Sequence, residues 1–196
     1  ALRSKVGQVV CPLGVGAHFE AWGYGKETVF EGDWYSALEG EEGFAIHILP
    51  ARHFSGRSLT RNKTLWAGFA LVTPERRIFF SGDSGYGKHF AEIGARFGGF
   101  DLAMLDCGQY DENWRYVHMM PEDTAQAAED LRARALLPGH VGKFAIAYHT
   151  WDDPFKRIVA ASRGKPYRLL LPLIGEPVAL PVASDGELLR WWEAGR

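Results

Sequence analysis

The fold is decided by residues 78–107, IFFSGDSGYGKHFAEIGARFGGFDLAMLDC. An apolar run ends at Ser81, a glycine-rich loop carries Asp83, and two further apolar segments follow at 90–97 and 100–107. The first of these has the spacing of a short helix and the second is typical of a buried strand. This order of strand, loop, helix and strand predicts an α/β or α+β sandwich.

The flanking segments extend the same alternation. Segments 65–72 and 77–81 predict a hairpin around Thr73-Pro74-Glu75-Arg76, and further strands are predicted at 9–12, 44–49 and 136–138. Helices are predicted within 14–23, from Pro121 and after Pro154. The second of these should bury Thr124, Ala128, Leu131 and Ala135. We expect the tail from Gly175 to Trp192 to form a β-ribbon, and residues 1–196 to form a single domain.

Composition excludes several classes of protein. The 196 residues carry a net charge of −2, so no basic field predicts a nucleic-acid partner. Only Cys11 and Cys107 are present, which excludes a disulfide scaffold, and the longest apolar runs are too short to span a membrane. We expect a globular protein without a transmembrane segment, and a cytoplasmic location is favoured although no targeting signal decides it.

Four polar residues stand where chemistry is favoured, in loops that border apolar runs or a helix start. They are His53, Asp83, His118 and His140. Strand ends hold side chains rigidly and leave the next loop open to a ligand. Imidazole and carboxylate are ligands for zinc and similar ions, so the pattern indicates a metal site.

Two other interpretations compete with a metal site. Residues 82–88 match the phosphate-loop pattern G-x-x-x-x-G-K, but His89 stands where a hydroxyl should meet magnesium. Asp83 would also place a carboxylate in a loop meant to hold anions. Alternatively, the histidines are ordinary loop residues, and the chain is a binding or structural module without catalysis.

Several segments, in unbroken order to about residue 160, resemble one branch of a known superfamily. They are PARHFS at 50–55, NKTLWAG at 62–68, FFSGDSGY at 79–86, Gly108-Gln109-Tyr110, and Gly139-His140. Together they resemble the metallo-β-lactamase-fold hydrolases typified by N-acylphosphatidylethanolamine phospholipase D. The resemblance implies a partial αββα sandwich with a binuclear site, usually of zinc, at one edge.

The resemblance also implies roles for single residues. His53 and His140 correspond to metal ligands, and Asp83 to a ligand that bridges two ions. His118 corresponds to a histidine that acts with Asp83 at the scissile group, while Tyr110 and Trp114 would line the substrate cleft. Ordinary loop packing is the alternative for the two aromatic residues.

The H-x-H-x-D-H motif of these hydrolases appears nowhere in the 196 residues. We therefore expect a C-terminal portion of a longer protein, cut after that motif. Such a portion should bind at most one zinc ion, weakly, should have little activity alone, and could associate with itself through an uncovered apolar face or sheet edge.

The resulting prediction for the whole protein is a zinc-dependent phosphodiesterase acting on a small-molecule or lipid phosphodiester. A sugar-phosphate lactonase of the same superfamily is the alternative activity. Arg52, Arg57 and Arg61 lie in the loop from Arg52 to Lys63 and would suit an anionic phosphate in either case, unless they form a solvated surface.

Overall fold

The computed structural model describes residues 2–56, 60–182 and 190–193. The strands are β1 Val9–Pro12, β2 Val29–Gly32, β3 Ala37–Glu39, β4 Ala45–Leu49, β5 Gly68–Val72, β6 Arg77–Phe80, β7 Leu102–Asp106, β8 Ala135–Gly139 and β9 Arg168–Leu169. The α-helices are α1 Gly16–Ala21, α2 His89–Phe97, α3 Pro121–Asp130 and α4 Asp153–Ala161. The mixed α/β class is confirmed.

Strand direction organises the main sheet, whose order is β3-β4-β5-β6-β7-β8-β9. The pairs from β3 to β6 are antiparallel, and those from β6 to β9 are parallel. Because β4 and β6 both run against β5, they run in the same direction as each other. The carboxyl ends of β4, β6, β7 and β8 therefore lie at the same edge of the sheet. Strands β1 and β2 form a separate parallel pair.

The two faces of the sheet are covered unequally. On one face, side chains such as Phe79 and Leu136 pack with Phe90 and Ile93 of α2 and with Leu131 after α3, all fully buried. The opposite face has a smaller cluster around Leu102, Ala135 and Leu170, where Phe80 remains 47% exposed. The predicted self-association through an uncovered face stays a prediction.

Helix α2 packs closely against the end of α3 because it contains Gly94. A Cβ atom at Gly94 would lie 2.1 Å from the carbonyl oxygen of Asp130. Gly98, at φ 72°, then ends the helix in the left-handed conformation that glycine favours. The sequence of the helix thus explains both its contact and its end.

Three details differ from the sequence predictions. Ala135 belongs to β8 rather than to the buried stripe of α3, because the helix ends at Asp130. In the tail, residues 175–182 form no strand and Trp191–Glu193 form a 3-10 helix, so the ribbon is wrong for the described part, and 183–189 lie outside it. The short strands β2, β3 and β9 were not predicted, since two to four residues carry too little periodicity.

No helix in the described ranges combines the length and apolar character needed to cross a lipid bilayer.

Neighbouring phenylalanines on β6 provide a test of the packing. We expect Phe79→Ala to lower the free energy of unfolding by about 3–5 kcal/mol, because it leaves a cavity in a fully buried cluster. Phe80→Ala, one residue along on the opposite face, should cost much less because its ring is 47% exposed. Urea denaturation measures both values, and equal losses would contradict the assignment of the faces.

Half-buried His89 predicts a loss of stability in acid. Burial, reinforced by the charge of Arg52, lowers the pKa of His89 from 6.5 to about 4, and its Nε2 atom lacks a hydrogen-bond partner within the described residues. As pH falls from 6.5 towards 4, the unfolded chain gains a proton that the folded chain does not bind. The free energy of unfolding should therefore drop by about 2–3 kcal/mol over this range. Unfolding curves for His89→Leu should lack this component, and parallel pH curves for variant and wild type would refute it.

Candidate functional site

Strand ends bring the predicted site residues to one edge of the sheet. His53 follows β4, Asp83 follows β6 and His140 directly follows β8. These strands run in the same direction, so the loops after them meet. His118 reaches the same place from the loop between β7 and α3.

Three imidazoles form a row at this edge. The ring centroid of His118 lies 5.4 Å from that of His53 and 5.3 Å from that of His140. Asp83 Oδ2 lies 4.0 Å from His140 Nε2. His53 directs its Nδ1 to the carbonyl oxygen of Phe54 at 2.8 Å, which leaves its Nε2 for a ligand. The structure thus places His53, Asp83, His118 and His140 in one cluster.

Asp106, which the sequence analysis did not identify, belongs to the same cluster. It is the last residue of β7, and its Oδ2 lies 2.8 Å from His118 Nδ1. Burial acts to lower the pKa of His118, but the hydrogen bond and charge of Asp106, together with the charge of Asp83, raise that pKa overall. The signal in the sequence that could have identified Asp106 is its position, since its carboxylate directly follows the apolar run 102–105.

The loop that carries Asp83 is held on both sides. Ser84 N–H donates to Asp106 Oδ2 at 3.1 Å, and Gly85 N–H donates to the carbonyl oxygen of Arg52 at 2.8 Å. Arg52 N–H donates in turn to Ser84 Oγ at 2.9 Å. Two amides of the phosphate-loop pattern are therefore already bound to protein acceptors, which weighs against an anion cradle there.

Close approach and backbone strain mark the loop after β8. His140 has φ 61°, a left-handed conformation that a non-glycine residue seldom adopts. Its carbonyl oxygen would lie 2.0 Å from a Cβ atom at position 108. Glycine at 108 is therefore required for the loop after β7 to lie this close to the loop after β8. Strain of this kind is concentrated at functional sites.

Gln109 clamps the loop that continues from His140. Its Nε2 donates to the carbonyl oxygen of Phe144 at 2.7 Å, and its Oε1 accepts from Ile146 N–H at 2.8 Å and from Ala147 N–H at 3.3 Å. Its own N–H donates to His149 Nε2 at 2.9 Å. One buried carboxamide therefore organises the segment next to the cluster.

The two aromatic residues predicted to line a cleft differ in their surroundings. Tyr110 is 3% exposed, its hydroxyl donates to Asp153 of α4, and its ring stacks on His149. These contacts favour ordinary packing over a place in the substrate cleft. Trp114 is partly exposed, and its Nε1 donates to the carbonyl oxygen of Gln109 at 2.8 Å. Of the two, Trp114 is the better placed to meet a ligand.

The arginines predicted to suit a phosphate have other contacts. Arg52 donates to the carbonyl oxygen of Tyr86 at 3.1 Å and lies over the ring of Tyr116 at 4.1 Å. Arg61 lies over the ring of Phe54 at 5.2 Å. Arg57 lies outside the described residues.

A cavity of about 680 Å³ opens beside His53. Its walls come from α1 and the loop after β4, and they include Phe19, Trp22, Phe54 and Lys63. The cavity therefore connects the imidazole cluster with a largely apolar space, to which Lys63 contributes a cationic side chain among the described residues.

The cluster fits part of a metal-ligand set. Imidazole nitrogen and carboxylate oxygen are the donor types of zinc sites. Two donors of a tetrahedral zinc ion lie about 3.3 Å apart, so the separation of 4.0 Å between Asp83 and His140 is somewhat wide. Within the part of the chain that the structure describes, no group of three or more His, Cys, Asp or Glu side chains is arranged to hold a metal ion.

Removal of the Gln109 clamp should loosen the loop after His140. We expect Gln109→Ala to raise amide hydrogen exchange at Ile146 and Ala147 about tenfold or more, because the hydrogen bonds that both amides donate to Gln109 Oε1 are lost. Gln126→Ala is the control, since that exposed side chain donates to Asp130 in its own helix, away from the loop after His140. Unchanged exchange at both amides would show that the clamp is unnecessary.

Comparison with known proteins gives both sequence relatives and structural neighbours. An uncharacterised protein of Mycobacterium tuberculosis is 41% identical over 92% of this chain and 49% of its own length. The mitochondrial N-acyl-phosphatidylethanolamine-hydrolyzing phospholipase D of Saccharomyces cerevisiae is 37% identical over 68% of this chain and 31% of its own length. A metallo hydrolase structure from Ignicoccus hospitalis superposes with TM-score 0.65 at 15% identity, covering 87% of this chain and 67% of its own. The chain thus spans about half the length of the mycobacterial relative and a third of the yeast one.

The family itself is established by a sequence profile, that of the beta-lactamase superfamily domain, which matches residues 1–141. This range contains every member of the imidazole cluster with Asp83 and Asp106. The superfamily implied by the resemblance is confirmed, while the particular branch stays a prediction. The chain belongs to the beta-lactamase superfamily, the superfamily of metal-dependent hydrolases.

Proposed function

We propose that this chain carries part of the active site of a zinc-dependent phosphodiesterase of the N-acylphosphatidylethanolamine phospholipase D type. The observation that supports it is the convergence of three imidazoles with the Asp83 carboxylate at one sheet edge. In this proposal His53, Asp83 and His140 bind metal, and His118 and Asp83 act on the substrate. The remaining ligands would come from other parts of the complete protein.

Each residue of the cluster would have a distinct task. When bound, zinc supplies Lewis acidity and lowers the pKa of a coordinated water. His53 and His140 would offer Nε2, and Asp83 would hold its carboxylate between them. His118, whose pKa is raised, would in its protonated form place the Nε2–H next to the negative charge that develops on the phosphoryl oxygens.

The surroundings favour a substrate with an apolar arm. The cavity beside His53 has aromatic walls from Phe19, Trp22 and Phe54. Lys63 at the same cavity would attract an anionic group. A small-molecule or lipid phosphodiester combines these two features, and the name of the yeast relative describes a phospholipid substrate.

Metal binding by the isolated chain tests the ligand assignment. We expect Zn²⁺ affinity, measured by equilibrium dialysis, to fall at least tenfold in His140→Ala and in Asp83→Asn. His47→Ala is the control, because that histidine lies within β4 and packs against Phe97 at the end of α2, away from the imidazole row. Equal metal content in all variants would instead support a binding or structural module.

Turnover by the complete protein tests the reaction. With bis-(p-nitrophenyl) phosphate as substrate, Asp83→Asn should lower kcat/KM by about 100-fold or more, since it removes a group at the reacting centre. Hydrolysis of a sugar-phosphate lactone, without cleavage of the phosphodiester, would favour the lactonase alternative and overturn the phosphodiesterase.

A further inference from the structure

A buried carboxylate lies behind the imidazole row. The side chain of Asp106 has 0% of its surface exposed. Its Oδ2 faces both His118 Nδ1 at 2.8 Å and Ser84 N–H at 3.1 Å, and its Oδ1 accepts from Gly108 N–H at 3.3 Å. A single side chain therefore meets two loops, the one that carries Asp83 and the one that carries Gly108 and His118.

The main chain of Asp106 is satisfied separately. Its N–H donates to Ser81 Oγ at 2.9 Å, and its carbonyl oxygen accepts from Thr124 Oγ1 at 2.7 Å. The carboxylate is thus not needed to complete the backbone hydrogen bonds of β7. Its three contacts are directed to the site instead.

The contact with His118 restricts that ring. A carboxylate only accepts hydrogen bonds, so the proton of the neutral imidazole must sit on Nδ1. The ring plane is then fixed between His53 and His140, and Nε2 is the nitrogen left for the substrate side. A histidine that a buried acid holds in one tautomer carries its proton on one defined ring nitrogen.

We propose that Asp106 is a positioning residue that holds His118 in the Nδ1–H tautomer and, through the same oxygen, holds the Asp83 loop beside it. Its importance for catalysis rests on the proposed function. Its effect on the tautomer does not, because that follows from the hydrogen bond alone. Asp106 would touch neither metal nor substrate.

An asparagine at this position cannot reproduce the contacts. If its oxygen replaces Oδ2, its amide meets the Gly108 N–H, and two donors face each other. If its amide replaces Oδ2, it donates to His118 Nδ1, moves the ring proton to Nε2 and opposes Ser84 N–H. The first orientation therefore disturbs one of the three contacts, and the second disturbs two.

Nitrogen-15 NMR of the histidine side chains in the full chain tests the tautomer. At a pH where the imidazoles are neutral, wild-type His118 should show a protonated Nδ1 and an unprotonated Nε2. In Asp106→Asn the population should shift towards Nε2–H. A wild-type His118 protonated at Nε2 would overturn the proposal, even if the variant fails to fold.

The matched control is Asp101→Asn, just before the opposite end of β7. Asp101 also binds a backbone N–H, that of Arg77 at 2.9 Å, and a cation, Arg134 at 3.2 Å. It is therefore a structural carboxylate away from the site. Its substitution should leave the His118 nitrogen shifts unchanged, and an equal shift in both variants would indicate a general structural effect and contradict the assignment.

Kinetics of the complete protein separate this proposal from the proposed function. Asp106→Asn should lower kcat about 10- to 100-fold with little change in KM, whereas Asp101→Asn should leave both unchanged. If the wild type hydrolyses no phosphodiester, the proposed function fails while the NMR result still stands. A normal kcat in Asp106→Asn with an altered tautomer would refute the catalytic part alone.

Discussion

Everything at the candidate site depends on four strands that run in the same direction and end at one edge of a sheet. A loop follows each of β4, β6, β7 and β8 at that edge. Hydrogen bonds join these loops to one another. Ser84 is central, because it bonds the loop after β4 through Arg52 and the end of β7 through Asp106. Candidate site residues that are far apart in sequence therefore share one support.

The packing beneath explains why this support is rigid. Phe79 on β6 and the apolar faces of α2, α3 and α4 form a continuous buried cluster directly behind the strands. Close packing of this kind leaves side chains little freedom, so a strained backbone such as that of His140 can be maintained. Gly94 and Gly108 permit the close contacts on which this depends.

The electrostatic arrangement follows from burial. His118 would lose part of its affinity for a proton by leaving water, but the buried Asp106 carboxylate reverses that tendency. Asp83 stands at the open side of the same row, 49% exposed, where a cation or a substrate can reach it. One acid is thus enclosed against an imidazole, and the other is exposed to solvent.

Much of the fold could be predicted from local patterns. The hairpin of β5 and β6, strand β4 and helices α2 to α4 follow from apolar periodicity with glycine and proline at their ends, and the structure confirms them. The strands β2, β3 and β9 are too short to carry a period, and the end of α3 before Ala135 depends on packing. The superfamily was indicated by the motif around Asp83 and is confirmed by the profile match.

The sequence by itself determined which residues stand at strand ends, and hence that His53, Asp83 and His140 would share an edge. It could not select Asp106, Gln109 or the packing of Tyr110, because each acts through a partner that is distant along the chain: His118, Ile146 and Asp153. Hydrogen bonds between loops depend on distances in space. Only the tertiary structure decides those distances, whereas local periodicity is set by neighbours along the chain.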